Sequence, residues 1–297
     1  NGTGIKMLSG DGWDGFWGSG IVNITGNTIS SNSTAVSSTT VNQSEGGPIY
    51  FTMDNNRIGT TIDQILDRGN GNFGVLADGG GTFTNNIFAF NGHGQVGYPA
   101  LSFSSTSEDI TGNQFISNVV GGMAFGSSSG IAINNNIFTD NPYSMKLNGI
   151  NTSEIFSNTF CSSNGGEFFL SNSNNNDITG NKFGNSNSTS LVITGTSAGN
   201  GLTNNAFALS TATPIDLDGN GTSANDQGDS DAGPNNLQNY PENVSLVSED
   251  ELEFDLDTAA GTYLVEIHVL DDAACEELNS LVCSAEITHS GGNQSHT

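Results

Sequence analysis

Apolar and polar positions along this chain recur as one short pattern: apolar, two residues, Asn, one residue, apolar. It reads Ile24-Thr25-Gly26-Asn27-Thr28-Ile29, then Met53-Asp54-Asn55-Asn56-Arg57-Ile58, and returns through Ile178-Thr179-Gly180-Asn181-Lys182-Phe183 to Leu202-Thr203-Asn204-Asn205-Ala206-Phe207. The central asparagines are Asn27, Asn56, Asn86, Asn113, Asn136, Asn158, Asn181 and Asn205, separated by 29, 30, 27, 23, 22, 23 and 24 residues. The later repeats are tight and the earlier ones carry extra loop residues. A second apolar run precedes most copies, as in Ile49-Tyr50-Phe51, Leu101-Ser102-Phe103, Met123-Ala124-Phe125 and Leu191-Val192-Ile193. Gly, Ser and Asn clusters separate the runs, which is strand punctuation. Each repeat therefore predicts two or three strands of about three to five residues. No such unit buries its apolar face alone. Stacking one repeat on the next at ~4.8 Å does.

The asparagine has a physical role in such a stack. At a sharp corner it tolerates the left-handed backbone region. Its amide can donate to the Asn one coil above and accept from the one below, satisfying polar groups that would otherwise be buried unpaired. The alternative is a set of turn residues facing solvent. The regular apolar flanks favour the inward ladder.

The motif and its spacing resemble the parallel β-helix repeat of the pectin-lyase-like superfamily, over residues ~20 to ~213. The resemblance implies an all-β, right-handed parallel β-helix of about eight coils. It implies little about function, because that fold hosts lyases, hydrolases, epimerases, adhesins and surface fibres.

Composition narrows the partners. Lys and Arg total five (Lys6, Arg57, Arg68, Lys146, Lys182) against 31 Asp and Glu, a formal net charge of −26. Binding phosphate backbones needs clustered cations, so nucleic acid is excluded as a partner. An anionic membrane is disfavoured for the same reason. A divalent cation is the partner this charge invites. No apolar run approaches the length of a membrane span, and no signal peptide is recognisable. The chain opens Asn1-Gly2-Thr3 without Met, as expected of a mature or excised product. Three cysteines are present. Cys275 and Cys283 are close enough in sequence to suggest a disulfide, which suits an oxidising extracellular compartment; three free buried thiols are the alternative.

Residues 214–241 change character, which divides the chain into a β-helix (1–213), an acidic junction (214–241) and a small β module with a flexible tail (242–297). The opening Asp216-Leu217-Asp218-Gly219-Asn220-Gly221 matches the first half of a calcium loop. With Asp226, Asp229 and Asp231 it predicts a Ca²⁺ site. Gln227 stands where the loop needs a bidentate Glu, and no helices flank it, so this is no EF-hand; a solvated acidic linker is the alternative. The stretch Gly233-Pro234-Asn235-Asn236-Leu237-Gln238-Asn239-Tyr240-Pro241 resembles segments that close β-helices in large bacterial surface proteins. Beyond it, Leu252-Glu253-Phe254-Asp255-Leu256 and Tyr263-Leu264-Val265-Glu266-Ile267 alternate as strands do.

The catalytic inventory is nearly empty, and no catalytic residue is assigned. Lyase chemistry needs a base such as Lys146 or Lys182, on different coils here. Glycoside hydrolysis needs paired carboxylates on neighbouring coils, and none recurs with a supporting His. His93, His268, His289 and His296 are dispersed. Trp13, Phe16 and Trp17, set among glycines, suit either end-capping of the first coil or stacking on sugar rings. The favoured function is structural or adhesive, an extracellular or cell-surface rod whose partners are copies of itself, neighbouring parts of a larger surface protein, or glycans. The alternatives are a polysaccharide lyase or glycoside hydrolase, or a noncatalytic glycan-binding module.

Overall fold

A computed structural model of the chain describes residues 2–9, 20–40, 49–77, 79–94, 97–104, 109–161, 165–184, 188–208, 213–269, 275, 278 and 281–297. Trp13, Phe16 and Trp17 lie outside the described residues. Three parallel sheets form a β-helix. Sheet A has nine strands from Thr3–Ser9 to Ile215–Leu217, sheet B eight from Gly20–Thr25 to Gly201–Thr203, and sheet C eight from Thr28–Ile29 to Ala206–Phe207. The chain visits A, B and C once per turn.

Register makes the core. Ile110 pairs with Phe83 on one side and Ile133 on the other, and Phe115 pairs with Phe88 and Phe138. Inward side chains thus sit directly over their counterparts. In sheet C this aligns Phe88, Phe115, Phe138, Phe160, Phe183 and Phe207, whose successive ring centroids lie 4.8, 4.7, 5.1, 4.8 and 5.1 Å apart, all near parallel. Burying each ring stabilises by roughly 1.5–3 kcal/mol, and each stacked pair adds about 0.5–1.5 kcal/mol.

The corner between sheets B and C is made by the residue before each ladder asparagine. Gly26, Asn55, Asn85, Gly112, Asn135, Ser157, Gly180 and Asn204 all have φ between 54° and 69°. The left-handed position expected of the ladder asparagine itself belongs to its predecessor. The turn completed there aims the asparagine N–H and side chain inward together.

Sheet A runs past the expected boundary at residue 213, because Ile215–Leu217 pairs with Leu191–Thr194. The C-terminal strands are antiparallel: Glu251–Thr258 lies between Glu242–Ser248 and Gly292–His296, while Gly261–His268 pairs with Leu281–His289. The expected Cys275–Cys283 bridge is not formed. Cys275 bonds Cys161, at the end of a sheet C strand, with Cα atoms 5.9 Å apart, and Cys283 is free and exposed. Sequence proximity does not set disulfide geometry. Cys283 is paired in a ladder opposite Ile267, while Cys275 and Leu278 pack over Gly184, where a Cβ would come within 2.8 and 3.0 Å of them.

Candidate functional site

The eight repeat asparagines form a continuous hydrogen-bonded column. Asn136 Nδ2 donates to Asn158 Oδ1 at 2.9 Å, and Asn158 Nδ2 to Asn181 Oδ1 at 3.0 Å. The same contact joins Asn27 to Asn56, Asn86, Asn113 and Asn136, and Asn181 to Asn205. From Asn56 onward each oxygen also accepts the backbone N–H of the previous asparagine, and each amide also donates to a sheet B carbonyl one coil back, as Asn158 does to Ile133 at 2.9 Å. From Asn86 to Asn181 the column is fully buried.

Two further ladders were not anticipated. Asn70, Asn91, Asn118 and Asn141 stack where the chain leaves sheet C. Asn176, Asn200 and Asn235 stack where it enters sheet B. The first was readable, because Asn91, Asn118 and Asn141 each follow the core phenylalanine of their coil by three residues. The second ends on Asn235, within the closing segment.

Outside the helix, sheet A carries an aromatic and cationic patch. Lys146 Nζ lies 3.9 Å from the Tyr143 ring centroid and 5.1 Å from that of Phe169. Burial pushes the Tyr143 phenol up to about 12 and draws the Lys146 ammonium down. Lys182 stands on sheet C, so the two lysines weighed for lyase chemistry occupy different faces. Glu167 precedes a sheet A strand at a level held in other coils by Gly74, Ala100, Gly122, Ser144 and Ser190. Among the described residues neither of its carboxylate oxygens has a partner, and burial holds this carboxyl well above the usual carboxylate range.

The acidic junction divides. Asp216 lies in the last strand of sheet A, and its oxygens accept the N–H groups of Gly219 and Gly221, both at 3.0 Å. Asp218 accepts from the Asn220 amide at 3.0 Å. These three residues build a turn. Asp226, Asp229 and Asp231 come together separately, with a carboxylate oxygen of each within 4.8 Å of the others. Burial, and then the Asp226 and Asp229 charges, push the Asp231 carboxyl up. Asp229 also accepts from Asn239 N–H at 2.9 Å within the junction and from Thr258 Oγ1 at 3.1 Å in the module.

Three stacked parallel sheets with buried asparagine columns define a right-handed parallel β-helix repeat protein. The family described as "NosD: Periplasmic copper-binding protein (NosD)" matches residues 22–226 of the 297. The chain belongs to that family, and it is an extracytoplasmic β-helix protein. No curated protein matches it. The Cys161–Cys275 disulfide suits an oxidising compartment.

The family overturns the calcium expectation, because its description names copper. Asp216, Asp218, Asn220, Asp226, Asp229 and Asp231 are accordingly not assigned Ca²⁺. Copper favours imidazole, thiolate and thioether donors, and the matched segment does not supply them together. Among its described residues the one imidazole is His93, beside Asp67 at 3.1 Å. Met53, Met123 and Met145 are buried in the core, and Cys161 is consumed in the disulfide. The β-helix itself does not fit copper.

Proposed function

We propose that the chain acts as a rigid structural or adhesive rod at the cell surface. One observation carries this reading: the repeat commits its inward side chains to an apolar core and three asparagine ladders. Such a core resists bending and local opening, since opening one rung leaves buried amides unpaired on two coils. Its partners are copies of itself or neighbouring parts of a larger surface protein. At a net charge of −26, self-association strengthens as ionic strength screens repulsion. Sedimentation across a salt series, with electron micrographs of the same samples, tests this. Rods that associate at high salt support the reading. Saturable turnover of any polysaccharide, measured by new reducing ends or unsaturated uronate, would overturn it.

A second reading has a specific observation in its favour. The Tyr143, Lys146 and Phe169 patch offers two ring faces and an ammonium group to a sugar bearing a negative charge. This is the noncatalytic glycan-binding alternative. Titration with polyuronate and a neutral glucan separates the cases. Binding of polyuronate that is lost in Lys146→Gln and Phe169→Ala supports it, and equal binding by the variants refutes it.

A further inference from the structure

The core columns of the β-helix end against a cavity rather than against another coil. Leu202 follows Ile178 in sheet B, and Ile215 and Leu217 follow Leu191 and Ile193 in sheet A. The three predecessors are fully buried, whereas Leu202, Ile215 and Leu217 are only half-buried. A cavity of about 500 Å³ lies over them, walled by Leu237 and Tyr240 of the closing segment and by Tyr263 and Leu264 of the module. The closing segment enters this wall through a left-handed run: Asn235, Asn236 and Leu237 all have φ between 47° and 60°. Leucine rarely adopts that region, and such backbone gathers at ligand sites, where the surrounding structure imposes it.

The free polar groups of the cavity are few. Asn235, which lines it, is the last rung of its ladder. The Asn200 amide donates both to Ser173 O at 2.9 Å and to Asn235 Oδ1 at 3.1 Å. The Asn235 amide donates to Asn200 O at 2.8 Å. Its second hydrogen, the one that Asn176 and Asn200 each give to the next rung, has no acceptor among the described residues. Ser223 and Asn239 also line the cavity, and their side chains are already bonded to backbone carbonyls. No charged residue lines it, in a chain of net charge −26. An anion entering it is repelled by the field of the whole chain, and a cation finds no carboxylate to replace its water. A sugar ring would leave most of its hydroxyls against Leu202, Ile215 and Leu217 without partners. An apolar enclosure with one directed donor is the ordinary form of a small-molecule site, and this volume is in the usual range.

We propose that this cavity binds an uncharged, largely apolar small molecule whose carbonyl or hydroxyl oxygen accepts the free Asn235 amide hydrogen. The body of the ligand covers the end of the core as a further coil would, and its oxygen stands in for the next rung. The site is independent of the rod function and of the Lys146 patch. The probe is Nile red, an uncharged dye that carries a carbonyl, titrated into the full chain. Its fluorescence rises and saturates at one equivalent. 1-Decanol displaces it, and decanoate, with the same chain length and a charge, does not. Leu264→Arg places a charge in the wall and weakens binding at least ~10-fold, while the variant keeps its circular dichroism spectrum. Leu246→Arg, at a 76% exposed position outside the cavity, leaves binding unchanged, which separates the cavity from apolar surface elsewhere on the module. A variant-free arm measures nuclear Overhauser contacts from the dye to leucine methyl groups, expected at Leu202, Leu217 and Leu264 and absent at Leu246. No saturable binding, equal binding by Leu264→Arg, displacement by decanoate as effective as by decanol, or contacts confined to Leu246 would each overturn the proposal.

Discussion

Asn158→Ala tests the central ladder at its most enclosed rung. The Asn158 oxygen accepts the Asn136 backbone N–H at 3.0 Å and the Asn136 amide at 2.9 Å. Its own amide donates to Ile133 O at 2.9 Å and Asn181 Oδ1 at 3.0 Å. Alanine leaves the Asn136 N–H and one amide hydrogen of Asn136 without partners, while the Ile133 carbonyl keeps its place in the sheet B ladder. Asn181 Oδ1 keeps the Asn158 backbone N–H at 3.0 Å. Each stranded buried group costs about 1–3 kcal/mol. Two such groups cost about 2–6 kcal/mol and water entering the vacated space recovers part of it, so a net loss of about 2 kcal/mol or more is expected. Urea denaturation followed by circular dichroism measures it, with Asn148→Ala as control because Asn148 is exposed. Asn158→Asp adds a pH signature. Burial raises a carboxyl there above its unfolded value, so that variant loses stability as pH rises through and above the ordinary carboxylate range. If Asn158→Ala falls within about 0.5 kcal/mol of wild type, the ladder carries no net stability and the account given for it is wrong.

Glu167→Gln should flatten the pH dependence of stability. Burial holds the folded carboxyl well above the usual carboxylate range, so both states hold the proton at low pH, and the unfolded chain ionises first as pH rises. Stability therefore declines from that range upward in the wild type but not in the variant, and equal slopes would refute the assignment. The Cys161–Cys275 bridge spans a sequence separation of 114, for which chain entropy gives about 5 kcal/mol. Thiol titration of the denatured, unreduced chain should find one free thiol, Cys283; three would show the bridge absent. Phe138→Ala should cost about 3–5 kcal/mol, because the ring has stacked neighbours at 4.7 and 5.1 Å. Phe207→Ala, with one neighbour at 5.1 Å, should cost less, and equal midpoints would deny the stack its role.

The solenoid was legible because its period is written in residues that face inward. Flanking Ile and Phe fix which way each asparagine points, so the column from Asn27 to Asn205 follows from sequence once the strands are stacked. The left-handed corner was misplaced by one residue, because Asn, Ser and Gly all occupy it and none marks it alone. The disulfide was misread for a different reason: partners separated by 114 residues are joined only by the way the module packs on sheet C. The metal was misread because the calcium-like half-loop at Asp216 also suits a tight turn, where its carboxylate caps Gly219 and Gly221. His289 and His296 read as dispersed in the sequence, yet the Ser290-Gly291-Gly292 turn between them brings their ring nitrogens to 2.9 Å.

A repeat that commits its interior to identical rungs leaves chemistry to the residues that break it. Phe169 and Lys146 replace the small Ala124 and Ser102 on the same outward level of sheet A, and that level is where the aromatic patch arises. The C-terminal module breaks the repeat more completely, and it is held at several points. Cys275 ties it to Cys161, Glu266 accepts the Asn204 N–H at 2.8 Å on the last coil, and Asp257 accepts the Gly228 N–H at 2.9 Å from the junction. Asp257 adjoins Thr258, which pairs with Gly292 at the start of the strand bearing His296. The two imidazoles are thereby fixed to a scaffold that cannot slip register without reversing the facing of a whole strand. The long β-helix and the short strands that follow it thus differ in kind: one is a stack of repeating rungs, and the other is held to it by single contacts that do not repeat.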